Sequence, residues 1–278
     1  MSLTLPSRIV TSVGDSFTSR TRIPTRVLAG LVAVAFLALG AADAHASAAK
    51  DEVLIKGTAY TFDNQEPIAG ATIRARGAPG DSATSRADGR YRLRVAEGAK
   101  VTPYIEAEGH HGIYLQTFFT RDRDLKRVNF QIPTIPTYFA LATLLDVELD
   151  ENGDPARCAI VSTASTKRIR GLSFAEFVAY GAHGVAGATA STRPRVPGPV
   201  YFNDSVIPDP SLTETSIDGG IIWAEVPRGN YKVKAKHPRK RFASFRAACR
   251  DGRVVNANPP WGLYQLKAGE KARAEVTG

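Results

Sequence analysis

Cysteine is scarce in this chain of 278 residues, with Cys158 and Cys249 its whole supply. A multi-cysteine zinc site or a disulfide-dense small scaffold is therefore out of reach. Histidine is equally thin: His45, His110, His111, His183 and His237. No H-x-H or H-E-x-x-H spacing occurs among them, so the usual ligand pattern of a zinc hydrolase is missing. A G-x-S-x-G nucleophile elbow is absent too. The most apolar stretch, Val27 to Ala42, is shorter than the roughly 20 residues a membrane span needs. What remains is 43% hydrophobic and 23% charged, with 24 Gly and 17 Pro, which excludes collagen and wholesale disorder.

The first residues read as an address. Arg8, Arg20, Arg22 and Arg26 stand against the single acid Asp15 before the apolar stretch, which runs on to Ala44-His45-Ala46. A basic region, a short apolar region and a small-x-small site make a secretory signal peptide, cleaved near Ala46. The chain is then periplasmic or extracellular, with no transmembrane span in its mature part. Removing four Arg and two Asp with residues 1–46 lowers the net charge from +9 to +7. For a basic exported protein the expected encounters are anionic envelope polymers, lipid head groups or nothing specific, and not nucleic acid. Outside the cytosol Cys158 and Cys249 can pair as a disulfide, two buried thiols being the alternative.

Beyond residue 50 the dominant period is two. Arg90-Tyr91-Arg92-Leu93-Arg94-Val95 alternates basic and apolar residues, and Tyr231 to Lys236, Ala71 to Arg76 and Arg127 to Ile132 follow suit. Such alternation buries one side of a strand and wets the other. Turn residues at Asp63-Asn64, Ala87-Asp88-Gly89, Asn152-Gly153 and Asp218-Gly219-Gly220 separate the runs. The pattern predicts an all-β, antiparallel sandwich. Tyr138 to Leu149 and Ala156 to Ser165 flank Asn152-Gly153 and read as a hairpin. Ser173 and Glu176 have capping-box spacing, which predicts one short helix.

An internal echo divides the chain. Ile68-Ala69-Gly70-Ala71-Thr72 returns as Val185-Ala186-Gly187-Ala188-Thr189, and Thr84 to Gly89 returns loosely as Thr215 to Gly219. The second copy carries 13 more residues between its two signatures, in the Pro-rich stretch from Arg193 to Leu212. Two divergent copies of one unit are implied. The expected division is a leader over 1–46, a first sandwich over 47–134 and a second, with the insertion, over 135–278.

On Gly57, the Pro67-to-Ala71 run, Thr84 to Tyr91, Gly98 and Glu108-Gly109-His110, residues 53–133 resemble a carboxypeptidase regulatory-like domain. That family is a small transthyretin-like, or Ig-like, β-sandwich. The second half resembles it from about Gly184 onwards. The resemblance implies two tandem accessory modules, often set beside other exported domains and not themselves catalytic.

The candidate chemistry is correspondingly spare. His110 and His111 are adjacent and would point to opposite faces of a strand, so one metal could not easily take both; exposed loop positions are expected. Asp150-Glu151-Asn152-Gly153-Asp154 has the opening of a calcium loop, but Pro155 and Val161 stand where such a loop needs Gly and Glu. No cofactor or metal is therefore assigned. The rows Arg90, Arg92 and Arg94 and the cluster Arg239, Lys240 and Arg241 are candidate anion-binding groups, since guanidinium forks suit carboxylates, sulfates and phosphates. Tyr201, Phe202 and Asn203 in the insertion, with Trp261 and Tyr264 near the C-terminus, are candidate ligand-binding residues; plugging the end of the sandwich is their other reading. The sequence thus points to an exported binding or structural module of the cell envelope, with an anionic carbohydrate or an envelope protein as partner. A secreted metal-dependent or hydrolytic enzyme on a transthyretin-like fold is the alternative.

Overall fold

A computed structural model describes residues 51–78 and 81–277. The expected signal peptide, 1–46, lies outside the described residues. The first half runs through β1 (Glu52–Thr61), β2 (Thr72–Arg76), β3 (Ser82–Thr84), β4 (Arg90–Ala96), β5 (Lys100–Glu106), β6 (Ile113–Tyr114), β7 (Phe118–Phe119) and β8 (Phe130–Ile132). Helix α1 (Ile135–Leu144) leads into the second half. There β9 (Cys158–Ser165) is followed by a 3-10 turn (Lys167–Gly171), α2 (Phe174–Tyr180), β10 (Thr189–Arg193), β11 (Val200–Phe202) and β12 (Pro208–Asp209). The chain closes with β13 (Gly220–Val226), β14 (Gly229–Lys236), β15 (Phe245–Cys249), β16 (Val254–Ala257), β17 (Leu263–Tyr264) and α3 (Ala274–Thr277).

The fold is an all-β sandwich built twice. In the first half β4-β1-β8 forms one layer, and β2-β5, with β3, β6 and β7, forms the other. In the second, β13-β9-β16 faces β10-β14-β15, so strand follows strand in the same topology. Alternation was a sound guide to burial. Tyr91, Leu93 and Val95 point inward from β4 while its arginines point out, and Tyr231 and Val233 do the same from β14. It was silent on direction. β1–β8, β9–β16, β9–β17 and β6–β16 are parallel pairs, so the expectation of wholly antiparallel sheets is corrected. Burial period is two in either direction, which is why the pattern could not tell them apart.

The echo in the sequence marks a duplicated hydrogen-bond knot. Ser85 Oγ donates to the Ile68 carbonyl and accepts from the Ala71 amide, at 2.6 and 2.9 Å. Thr215 Oγ1 repeats this on Val185 and Ala188 at the same two distances. Both hydroxyls are buried, and each ties the entry of β2 or β10 to the turn before β4 or β13. The equivalence is Ser85 with Thr215, so Thr84 falls outside the repeat. The Pro-rich insertion supplies β11 and β12, which extend the β13 edge.

Two segments depart from expectation. Tyr138 to Leu144 is helical, not a strand. Thr134 caps α1 by accepting from the Thr137 amide, Pro136 sits in its first turn, and the Ala- and Leu-rich run shows no alternation to hold a strand. The loop at Asn152-Gly153 therefore closes on a single bridge, Leu149 to Pro155, and β9 pairs with β13 and β16 instead. The capping box before α2 is present, with Ser173 and Glu176 bonding each other's backbone amides.

The expected boundary at 134/135 is crossed by both sheet and chain. β6 pairs with β16, joining layers of the two halves into one sheet. Trp261 and Val276, from the chain's end, belong to the core formed by Ile55, Ile73, Leu93 and Phe130. Trp261 packs edge-on against Phe118 and donates from Nε1 to the Lys126 carbonyl at 3.1 Å. Further along, Glu270 meets Arg170 in a two-pronged pair, both contacts 2.7 Å.

Cys158 and Cys249 are bridged, joining β9 to β15 across the layers at a sequence separation of 91. Replacing both by Ala should lower unfolding stability by about 2–5 kcal/mol, read by urea titration. An unchanged midpoint would show that the layers hold without the link. Arg170 lowers the Glu270 carboxyl to about 2. A folded-state value below the unfolded one adds stability that is complete above the ordinary carboxylate range and fades as pH falls toward about 2. The Glu270→Gln variant should therefore lose stability at neutral pH and show a flatter decline on acidification.

Candidate functional site

The 3-10 turn and α2, inserted between β9 and β10, do not sit on their own sandwich alone. Ile169 and Phe177 are buried with Tyr60, at the end of β1, in a small cluster of their own. The Tyr60 ring lies 4.9 Å from Phe174 and 6.4 Å from Phe177, centroid to centroid. This contact leans α2 over the outer face of β1 and β4. Between them is a cleft of about 330 Å³.

Period-two alternation delivers the cleft's charge. Lys56 of β1 stands opposite Arg92 of β4, and Thr58 stands opposite Arg90. Arg86 comes from the turn before β4, and Arg127 from the loop before β8. Leu172, Phe174 and Pro260 supply an apolar side. The Arg127 loop lies close because Gly57 lets it: a Cβ there would meet the Val128 carbonyl oxygen at 1.9 Å. That carbonyl accepts from the buried Tyr91 hydroxyl, while the Asn129 side chain accepts from the Thr58 amide at 3.1 Å. Arg127 itself takes a left-handed backbone, φ +57°.

Among the described residues, five cations and no carboxylate line the cleft. Lys56 is paired with Asp124 at 2.6 Å, and Arg90 lies 3.5 Å from Asp88. The Lys56 hydrogen bond, with the Leu54 amide, holds the Asp124 carboxyl below its ordinary range. Among the described residues, Arg86, Arg92 and Arg127 have no acidic partner within ion-pair distance. Arg127 Nε is buried without a hydrogen-bond partner. Half-buried Arg127 is therefore a donor open to an oxyanion, with the exposed Arg86 and Arg92 at the mouth of the cleft.

Of the residues singled out from sequence, Arg90 and Arg92 line this cleft, whereas Arg94 pairs with Glu52 further along β4. Arg239 and Lys240 lie exposed or half-buried in the turn after β14, and Arg241 donates to the Glu270 carbonyl; none of the three lines the cleft. Tyr201, Phe202, Trp261 and Tyr264 are buried, exposing 5% or less. The expectation that they form a ligand surface is corrected: their rings fill the cores. Their polar ends are occupied as well, the Tyr201 and Tyr264 hydroxyls accepting from the Ala190 and Arg273 amides. Asn203 accepts from the amides of Ser205 and Ile207, closing a turn. Lys56, Arg86 and Arg127 escaped the sequence reading, because nothing in a single row of alternating residues reports a neighbouring strand or loop.

The histidines stand apart from the cleft. His110 is turned onto the Glu108 carbonyl, and His237 accepts from the Arg239 amide. His111 is buried, contrary to the exposed position expected. It stacks on Tyr138 at 3.6 Å and meets Asp154 at 3.0 Å. Desolvation lowers its pKa, against the opposing pull of Asp154. Asp150 accepts from the Asn152 and Asp154 amides, so the acidic string is knotted on itself.

No family model matches the chain, and no curated protein matches it either. Among solved structures, it is similar to the minor pilin of Streptococcus agalactiae at 8% identity and TM-score 0.24, covering 80% of this chain and 100% of that one. The major pilin subunit of Bacillus cereus gives 8% identity and TM-score 0.26, over 78% of this chain and 100% of that one. The Bacillus anthracis TIE protein gives 10% and 0.23, over 77% of this chain. This chain spans 34% of the TIE protein's length. Scores this low do not establish a shared fold.

Adding one methyl at Gly57 tests the placement of the cleft's loop. Gly57→Ala should push the Val128 carbonyl out and cost roughly 1–3 kcal/mol, the usual penalty for overpacking. Thermal unfolding would read it; an unchanged midpoint would mean the loop gives way freely.

Proposed function

We propose that this chain is an exported, non-catalytic β-sandwich module that holds an acidic glycan of the cell envelope in the cleft between β1, β4 and α2. The single observation that carries the reading is the set of five cations around a hollow with no carboxylate in its lining. Half-buried Lys56 and Arg127 and the exposed Arg86, Arg90 and Arg92 gather positive charge around the cleft, and an oxyanion would answer it with charge-assisted hydrogen bonds. The apolar side made by Leu172, Phe174 and Pro260 suits the C–H face of a sugar ring. Export follows from the leader's composition and agrees with the cystine between Cys158 and Cys249. The carboxypeptidase regulatory-like resemblance belongs to the same proposal, since that family's domains are accessory modules.

The test is calorimetric titration of the chain from residue 47 with heparin and with polygalacturonate. Saturable binding that weakens with added salt is expected. The triple variant Arg86→Ala, Arg92→Ala, Arg127→Ala should bind roughly ten- to hundredfold more weakly, as expected for lost charged hydrogen bonds. No saturable binding by the unaltered chain, or equal binding by the variant, would overturn the reading.

A further inference from the structure

A second hollow, of about 480 Å³, shares Arg127 with the first as a lining residue. Lys126, Arg127 and Arg273 line it, with the ring of Trp261 beneath Arg273 at 4.5 Å. Its two carboxylates are already committed. Asp124 holds Lys56, and Glu275 holds Arg123, each at 2.6 Å. Lys126, Arg127 and Arg273 have no acidic partner within ion-pair distance among the described residues. Desolvation lowers the Arg273 guanidinium from its ordinary value, and repulsion from Arg170 and Arg127 adds to this against the pull of Tyr264 and Glu275. Arg127 is the one cation that borders both hollows.

We propose that the two hollows form a single track, joined at Arg127, for a linear acidic polysaccharide that lays successive charged sugars along it. The inference rests on the cleft reading above and adds the ligand's shape. A small anion would satisfy Arg86 and Arg92 and leave Lys126 and Arg273 unanswered. A chain bearing a charge on each repeat answers both ends at once. The linkage makes the second contact intramolecular, so affinity rises with length without any new kind of interaction. Arg127, whose backbone is held by the Gly57 approach, is the fixed point between the ends.

The experiment uses heparin-derived oligosaccharides of defined length, titrated calorimetrically into the chain from residue 47. Affinity should climb with length and then level off. Lys126→Ala and, separately, Arg273→Ala should erase roughly tenfold of that gain while leaving the shortest binding fragment unaffected. Arg127→Ala should weaken short and long fragments alike. Lys126 is exposed, so its variant keeps the test valid should loss of Arg273 disturb the packing on Trp261. If short fragments bind and length adds nothing, or if neither end variant matters, the track is overturned and the cleft reading survives. If no fragment of any length binds, both fall. Equal competition by phosphatidylglycerol vesicles would overturn the saccharide assignment.

Discussion

Tyr60 is buried completely beneath Phe174 and Phe177, and the arrangement of charge around the cleft follows from that contact. Burying a ring of this size contributes on the order of 2–3 kcal/mol, offset in part because the Tyr60 hydroxyl is buried with no hydrogen-bond partner. Here the apolar partners come from the opposite half of the chain, so the energy spent on burial also sets one half against the other. Without it, Lys56 of β1 and the arginines of β4 would have no apolar wall across from them. With it, Arg90 and Arg92, still exposed, form one side of a cleft whose other side is Leu172 and Phe174.

The two halves repeat a topology but divide the labour. Each has the first strand of its unit paired in parallel with a late one, and each has a hydroxyl knot binding two turns. The knot suits duplication because it is self-contained: one buried hydroxyl satisfies a donor and an acceptor that would otherwise be left unpaired. Insertions outside a knot, or within the loop that it closes, are therefore tolerated. The second half uses that freedom to add β11 and β12 at a sheet edge and α2 between β9 and β10. The first half keeps the plainer loops and supplies the charged strand face.

The C-terminal segment closes the arrangement. It contributes Trp261 and Val276 to the first core, Glu270 to Arg170, and Glu275 to Arg123. Contacts between residues so far apart in sequence are slow to form, since loop closure precedes any reward. Once formed, they tie the two halves together on either side of the Arg127 loop.

Sequence alone determined which faces of the strands are wet, which segments repeat, which residues cap α2, and that Cys158 and Cys249 could pair. These are local or periodic properties, carried by the alternation of Arg90 to Val95, by the Gly70 and Gly187 runs and by the spacing of Ser173 and Glu176. Tertiary structure decided strand direction, the helical state of Tyr138 to Leu144, the burial of Tyr201 and Trp261, and which arginines meet. Each of these depends on a partner distant in the chain. An exposed ring and a buried one read the same in a sequence, and Arg86, Arg92 and Arg127 become neighbours only when Gly57 lets one loop approach and Tyr60 draws the other half in.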